Sequence, residues 1–208
     1  MEKPRKKDYR QRAHANPFGD KEMFYPPSPY TFDWTKYFPT NEPPKYLDIG
    51  CGYGKFLIAR SHEARSMGIE IRKKVVAYVE KIKNDNCCVV RTNCFFFLPN
   101  FFKENSLEKI FILFPDPHFK KRKYKARVVS KGMIQIYRYI LQNKGRLYIS
   151  TDVKELFDDM KTKIEEFKEF KEVDDVLRDE IENNTDEANR AGKKAGKVFS
   201  AIFELNDK

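Results

Sequence analysis

The chain is poor in the features that a secreted, membrane-spanning or metal-stapled protein needs. Its four cysteines, Cys51, Cys87, Cys88 and Cys94, form no CxxC pair, and the neighbours Cys87 and Cys88 are badly placed to bridge each other. Neither a disulfide framework nor a zinc site is expected. No apolar run approaches the ~18 residues of a membrane span. The first residues, MEKPRKKDYRQR, lack the apolar segment of a secretory signal. An intracellular, reducing setting is expected. There is also no internal repeat.

Acidic residues are in deficit. Asp and Glu total 31 against 41 Lys and Arg, for a formal net charge of +10 and a pI near 9.3. The excess is clustered, which favours nucleic acid or another anionic surface as partner. With 208 residues the chain can bury one substantial α/β core, not two large ones.

Residues 1 to 45 read as an extension and residues 46 to 208 as the main domain. The extension carries Pro26, Pro27, Pro29, Pro39, Pro43 and Pro44 among Phe24, Tyr25, Tyr30, Phe32, Trp34, Tyr37 and Phe38. So many aromatics must pack on something, and the prolines make them do so as extended chain and turns. An ordered strap preceded by a mobile basic tip is expected, with His14 and Asn16 as residues that can face a site. The run Lys3 to Lys7 reads as a nuclear address, as an arm touching phosphates, or as a solubilising end. The nucleus is the expected location, with the cytoplasm as the alternative.

From Lys45 onward strands and helices alternate. Strands are predicted at Tyr46 to Ile49, Ser66 to Ile69, Cys88 to Arg91, Ile110 to Phe114, Arg146 to Ser150 and Val198 to Leu205. Helices are predicted from about Lys55, over Arg72 to Lys83, from about Ser130 to Gln142 and from about Val153 to Lys168, with a short apolar turn or helix at Phe95 to Phe102. The charged stretch Glu169 to Lys197 reads as an exposed loop or small insertion. This βαβαβ order predicts a parallel sheet with helices on both faces.

Two stretches carry chemistry. In LDIGCGYG, Leu47 to Gly54, the glycines Gly50, Gly52 and Gly54 suit a tight strand-to-helix turn that a ligand approaches closely. The dinucleotide fingerprint needs glycine at position 55, where Lys55 stands, which weakens a nicotinamide or flavin reading. Glu70 ends the second strand, where a carboxylate can accept both ribose hydroxyls of a nucleoside. The second stretch is IFILFPDPHFKKRKYKAR, Ile110 to Arg127. Pro115 and Pro117 keep Phe114 and Asp116 out of helical geometry and hold Asp116 just past a strand's carboxyl end. Lys120, Lys121, Arg122, Lys123, Lys125 and Arg127 then place six cations in eight positions, around Phe119 and Tyr124.

The glycine turn and its acid resemble motif I of Rossmann-fold methyltransferases that use S-adenosylmethionine. That resemblance implies Asn93 at the adenine edge and Cys94 along the ring. The fourth strand is not followed by the Asn/Asp-Pro-Pro-aromatic arrangement often used for amino nitrogens, and one fixed acid suits an acceptor that is already nucleophilic. Guanine N7 needs no deprotonation. Asp116 can hold guanine N1 and N2 hydrogens or face the developing charge; its alternative role is to cap the following turn.

YRQRAHANPF, LDIGCGYG, GIEIR, RTNC, LPNFF, FILFPDPHFKKRKYKAR, STDV and GKVFSAIF together resemble the tRNA (guanine-N7)-methyltransferases, specifically the catalytic subunit of the eukaryotic type. The resemblance implies a Rossmann-like S-adenosylmethionine-dependent methyltransferase fold, with a mostly parallel sheet and an antiparallel C-terminal strand. It implies cofactor contacts at Gly50, Gly52, Glu70, Ile71, Arg72, Asn93, Cys94 and Leu113, and Asp116 as the catalytic acid. Thr185-Asp186-Glu187 match the family's threonine-acid-acid motif, adding Thr185 and Glu187 to the cofactor contacts, while Ala188 to Ala191 depart from the usual continuation. His118 and the cations from Lys120 to Arg127 are the implied tRNA contacts, and a β-propeller (WD-repeat) subunit is the implied protein partner. Methyl transfer to another RNA position or to protein, and a non-catalytic RNA-binding role, remain the alternatives.

Overall fold

The computed structural model describes residues 4–11, 23–183 and 197–206, with the side chains of Lys121 and Lys123 outside that description. The chain divides into two compact units, Met1–Ser106 and Leu107–Lys208. Seven strands run in the order β3-β2-β1 within the first and β4-β5-β7-β6 within the second.

In the first unit, β1 (Tyr46–Ile49), β2 (Ser66–Ile69) and β3 (Cys87–Val90) are buried at every position. They pair in parallel, with Tyr46 opposite Ser66 and Ser66 opposite Cys87. Burial on both faces explains why these strands read as short apolar runs. The connections are α1 (Lys55–Arg60) and α2 (Lys73–Ile82), and α3 (Cys94–Phe101) follows β3. In α2, Val75, Tyr78 and Val79 face inward at helical spacing. Gly68 allows Cys51 of the glycine turn to lie against β2, because a methyl there would stand 2.6 Å from both Cys51 Sγ and Leu57 Cδ2.

The aromatic strap packs within this unit. Tyr25 stacks on Phe97 at 3.9 Å between centroids, and Phe32 meets Phe101 and Trp34 edge-on. Asn100 Nδ2 donates to Pro26 O at 2.7 Å. The tip departs from expectation over residues 4–11, which are docked. Lys6–Tyr9 form a 3-10 turn, Tyr9 meets Tyr78 of α2 edge-on at 5.5 Å, and Lys74 N donates to Gln11 Oε1 at 3.0 Å. Lys81 Nζ also lies 5.3 Å from the centre of the Tyr9 ring, so an aromatic ring at the end of the basic run helps to anchor it. Lys3, His14 and Asn16 lie outside the described residues.

In the second unit, β4 (Leu107–Leu113) pairs in parallel with β5 (Leu141–Thr151), and β7 (Phe199–Leu205) is antiparallel to both β5 and β6 (Phe170–Glu172). The expected antiparallel C-terminal strand is present. α4 (Lys131–Ile140), capped by the Ser130 hydroxyl, ends earlier than predicted because the chain passes directly into β5. The stretch Gln142 to Gly145 is irregular, with Lys144 at φ 64°. α5 (Lys154–Glu165) follows. β6 and α6 (Leu177–Asn183) occupy part of the stretch expected to be loop or insertion. Asp175 accepts from Leu177 N at the start of α6, and Leu177 and Ile181 are buried one turn apart.

Gly68→Ala is expected to lower stability by about 1–3 kcal/mol, the usual cost of overpacking a tight core. Chemical denaturation reads this as a lower midpoint with unchanged slope; an unchanged midpoint would mean that the turn does not need its close approach to β2.

Candidate active site

In the first unit the carboxyl ends of β1, β2 and β3 lie along one edge, since the strands are parallel neighbours. Gly50, Glu70 and Asn93 follow those ends, the placement at which open α/β sheets bind ligands. Gly50 N donates to Ile69 O at 2.7 Å and Glu70 N to Val90 O at 3.2 Å, so each turn is tied to its neighbour. Gly50, at φ +80°, faces open space where a Cβ would stand, whereas Gly54, at φ +76°, lies against Val79. The first leaves room for a ligand; the second lets α2 approach the turn.

Glu70 is buried and its carboxylate is already oriented. It accepts from Arg72 N at 2.9 Å and Arg72 Nε at 3.1 Å on one oxygen, and from Arg72 Nη2 at 2.7 Å on the other. The forked contact fixes the plane of the acid. Arg72 also passes near the turn, since its Nη2 would be 3.9 Å from a Cβ at Gly52. Ile71 lies between them and accepts at its carbonyl from Arg91 Nε. Asn93 is buried, and its Oδ1 accepts from Phe95 N at 3.0 Å as the cap of α3. Its side-chain carbonyl therefore serves the helix, a local role that competes with the expected adenine contact. Cys94 is buried at the start of α3, and burial pushes its thiol up to about 12. At neutral pH it is a neutral, apolar wall. Sequence reasoning missed Thr92, whose buried hydroxyl has no hydrogen-bond partner among the described residues. A polar residue at a strand's carboxyl end was the available signal.

The second unit holds the acid and the cations. Leu113 ends β4, half-buried, and Phe114 N donates to Ser150 O at 2.8 Å. Phe114 and His118 both adopt left-handed backbone, at φ 52° and φ 47°. The prolines exclude right-handed helix at Phe114, as predicted, but the residue turns left-handed instead of extending. Two such residues bracket Pro115-Asp116-Pro117, a strained arrangement of the kind often found at functional turns. Asp116 and His118 are half-buried.

The cationic run forms a 3-10 turn, Lys121–Ala126. Lys120, Arg122 and Lys125 are exposed and make no ion pair among the described residues; Phe119 is exposed beside them. Arg127 differs from the rest of this run. It is 2% exposed, with Nη1 3.0 Å from Asp159 and Nη2 3.4 Å from Glu155. Its Nε donates to Pro117 O at 3.0 Å, and its guanidinium lies 3.6 Å from the centre of the Tyr124 ring. Its charge is paired inside the protein, unlike that of the exposed cations before it. The side chains of Lys121 and Lys123, and the whole of Thr185 and Glu187, lie outside the described residues.

Glu155 is held below the usual carboxylate range, first by the hydrogen bond from Tyr124 and then by the bond from Arg127. Because the folded value is depressed, the stability it contributes is present above the ordinary carboxylate value and is lost as pH falls through the lowered one. Tyr124→Phe should raise the Glu155 titration midpoint towards its ordinary value, as followed by carboxyl NMR. A midpoint that does not rise would place the hydrogen bond elsewhere.

A family profile described as "Putative methyltransferase" matches residues 42–204. The tRNA (guanine-N(7)-)-methyltransferase of Bombyx mori is 40% identical over 98% of this chain and 96% of its own length. That of Anopheles gambiae is 38% identical over 96% of this chain and 94% of its own. The crystal structure of a SAM dependent methyltransferase from Archaeoglobus fulgidus has a TM-score of 0.52 and 15% identity, covering 82% of this chain and 89% of that one. It matches the fold, an α/β Rossmann-like sheet with its antiparallel strand. With near full-length identity of this order to two such enzymes, the chain belongs to the tRNA (guanine-N7)-methyltransferase family.

Proposed function

We propose that this protein transfers a methyl group from S-adenosylmethionine to N7 of a guanine in tRNA. The single observation that carries the reading is identity of 38–40% over nearly the whole chain with proteins named for that reaction. The first unit fits the donor on its own terms. Gly50 leaves open space where a side chain would stand, Glu70 presents a buried, oriented carboxylate, and the Thr92 hydroxyl is buried without a partner among the described residues. Glu70 would receive the ribose hydroxyls, Gly50 and Gly52 would admit the ligand to the turn, and Ile71, Arg72, Asn93, Cys94 and Leu113, with Thr185 and Glu187, complete the proposed contacts. The donor supplies an electrophilic methyl on a sulfonium, which guanine N7 takes without losing a proton.

Asp116 then has no base to provide. Its carboxylate holds the guanine N1 and N2 hydrogens or offsets the positive charge that develops on the ring. His118, Lys120, Lys121, Arg122, Lys123 and Lys125 are the proposed tRNA contacts. Exposed cations beside an exposed Phe119 suit a backbone with an unstacked base nearby. A β-propeller subunit as partner and a nuclear location belong to the same reading and rest on the sequence resemblance.

Incubation with labelled donor and tRNA, followed by nucleoside analysis, tests the assignment. N7-methylguanosine is expected, and confirmed donor binding without that product would overturn it. Asp116→Asn should lower kcat by roughly 10²-fold or more while tRNA affinity is kept, the pattern of a group used in the transition state. Replacing Lys120, Arg122 or Lys125 singly by Ala should instead weaken tRNA binding and reduce the log–log salt slope by about one each. Filter binding across salt concentrations reads this, and an unchanged slope would remove that residue from the interface.

A further inference from the structure

The loop that carries Asp116 is short of backbone donors. Pro115 and Pro117 have no N–H, so few main-chain groups between Phe114 and His118 can tie the loop to the rest of the unit. On one side the loop is fastened by Phe114 N to Ser150 O at 2.8 Å. On the other side, a side chain holds it: Arg127 Nε donates to the carbonyl of Pro117 at 3.0 Å, one residue after the acid.

Arg127 is itself held on three sides. Asp159 and Glu155, one turn apart on α5, take its two terminal nitrogens, the Tyr124 ring covers the guanidinium face, and the Tyr124 hydroxyl donates to Glu155 Oε1 at 2.7 Å. Lys163 Nζ lies 2.6 Å from the same Asp159 oxygen that faces Arg127, so the two cations meet two acids and the cluster is neutral overall. Planar geometry matters here, because one lysine ammonium cannot reach the carbonyl, serve both carboxylates and stack on the ring together. The 3-10 turn and α5 thus converge on one peptide carbonyl.

We infer that Arg127 is a positioning residue for Asp116, fixing the Pro117 carbonyl so that the carboxylate one residue earlier is held in one orientation. This rests on the proposed role of Asp116 and adds a part to it. The last cation of the basic run differs in kind from the exposed ones before it.

The test uses the full chain as wild type, Arg127→Lys, Asp116→Asn and the double variant, with kcat, tRNA affinity and salt slope measured for each. Arg127→Lys is expected to lower kcat about tenfold, since a catalytic group displaced by as little as ~1 Å can cost up to ~10²-fold. tRNA affinity and salt slope stay at their wild-type values, and no further loss appears in the Asp116→Asn background. Three results would overturn the inference. Weakened tRNA binding with kcat unchanged would make Arg127 a phosphate contact, since lysine keeps the charge but loses the fork. An additive kcat loss in the Asp116→Asn background would make it a general brace. Wild-type turnover in Asp116→Asn would remove the role of Asp116 itself, a failure visible in that single variant alone. Should Arg127→Lys fail to fold, Asp159→Asn loosens the guanidinium without touching the loop, and its smaller kcat loss is judged by the same comparison.

Discussion

A buried guanidinium that accepts the cost of leaving water needs partners on every side, and Arg127 has them. An isolated charge at 2% exposure would be destabilising by several kcal/mol. Two carboxylates, a peptide carbonyl and an aromatic face offset that cost. The same contacts tie α5, the 3-10 turn and the loop after β4 to one point. The acid-bearing loop is constrained in two complementary ways: its prolines restrict its own dihedrals, and Arg127 supplies an external tie where N–H groups are missing.

The cationic run therefore contains two kinds of charge. Lys120, Arg122 and Lys125 keep their charge in water, where a polyanion can release counterions from its own backbone on meeting them. Arg127 spends its charge internally. Spacing in the sequence does not distinguish them, because burial is set by what α5 brings to the turn, and Glu155 and Asp159 are about thirty residues away. The one local hint is that Ala126, Val128 and Val129 surround Arg127 with apolar residues, while the earlier cations have mostly one another as neighbours.

The fold was legible where local patterns and burial agree. β1 and β2 were predicted to their terminal residues, because short apolar runs flanked by glycine or charge leave little choice in a parallel sheet. It was less legible where tertiary contacts set the outcome. β5 starts at Leu141, several residues before Arg146, since Leu141 pairs with Leu107 of β4 ahead of an irregular polar stretch that carries no strand signal. α6 was hidden by the charge around it, although its Asp175 cap and the Leu177 and Ile181 pair were readable. In the site, the placement of Gly50, Glu70 and Asp116 at strand ends followed from the alternation of elements. The partners of Asn93 and Arg127 did not, because a side-chain hydrogen bond depends on a few tenths of an ångström that sequence spacing does not encode.

Both units use arginine to orient an acid, and they do so differently. In the first, Arg72 binds the Glu70 carboxylate directly through its fork and its own backbone N–H, so the acid's plane is set while a ligand can still approach its remaining lone pairs. In the second, Arg127 binds the peptide beyond Asp116 and leaves the carboxylate out of its grip. The difference suits the two proposed tasks. A carboxylate that accepts neutral hydroxyls tolerates a cation beside it, because the cation compensates its buried charge without occupying all its acceptor sites. A carboxylate that must answer positive charge developing on guanine would be weakened by a guanidinium placed directly on it. Holding the loop through a neutral carbonyl gives the orientation without placing the guanidinium on the acid.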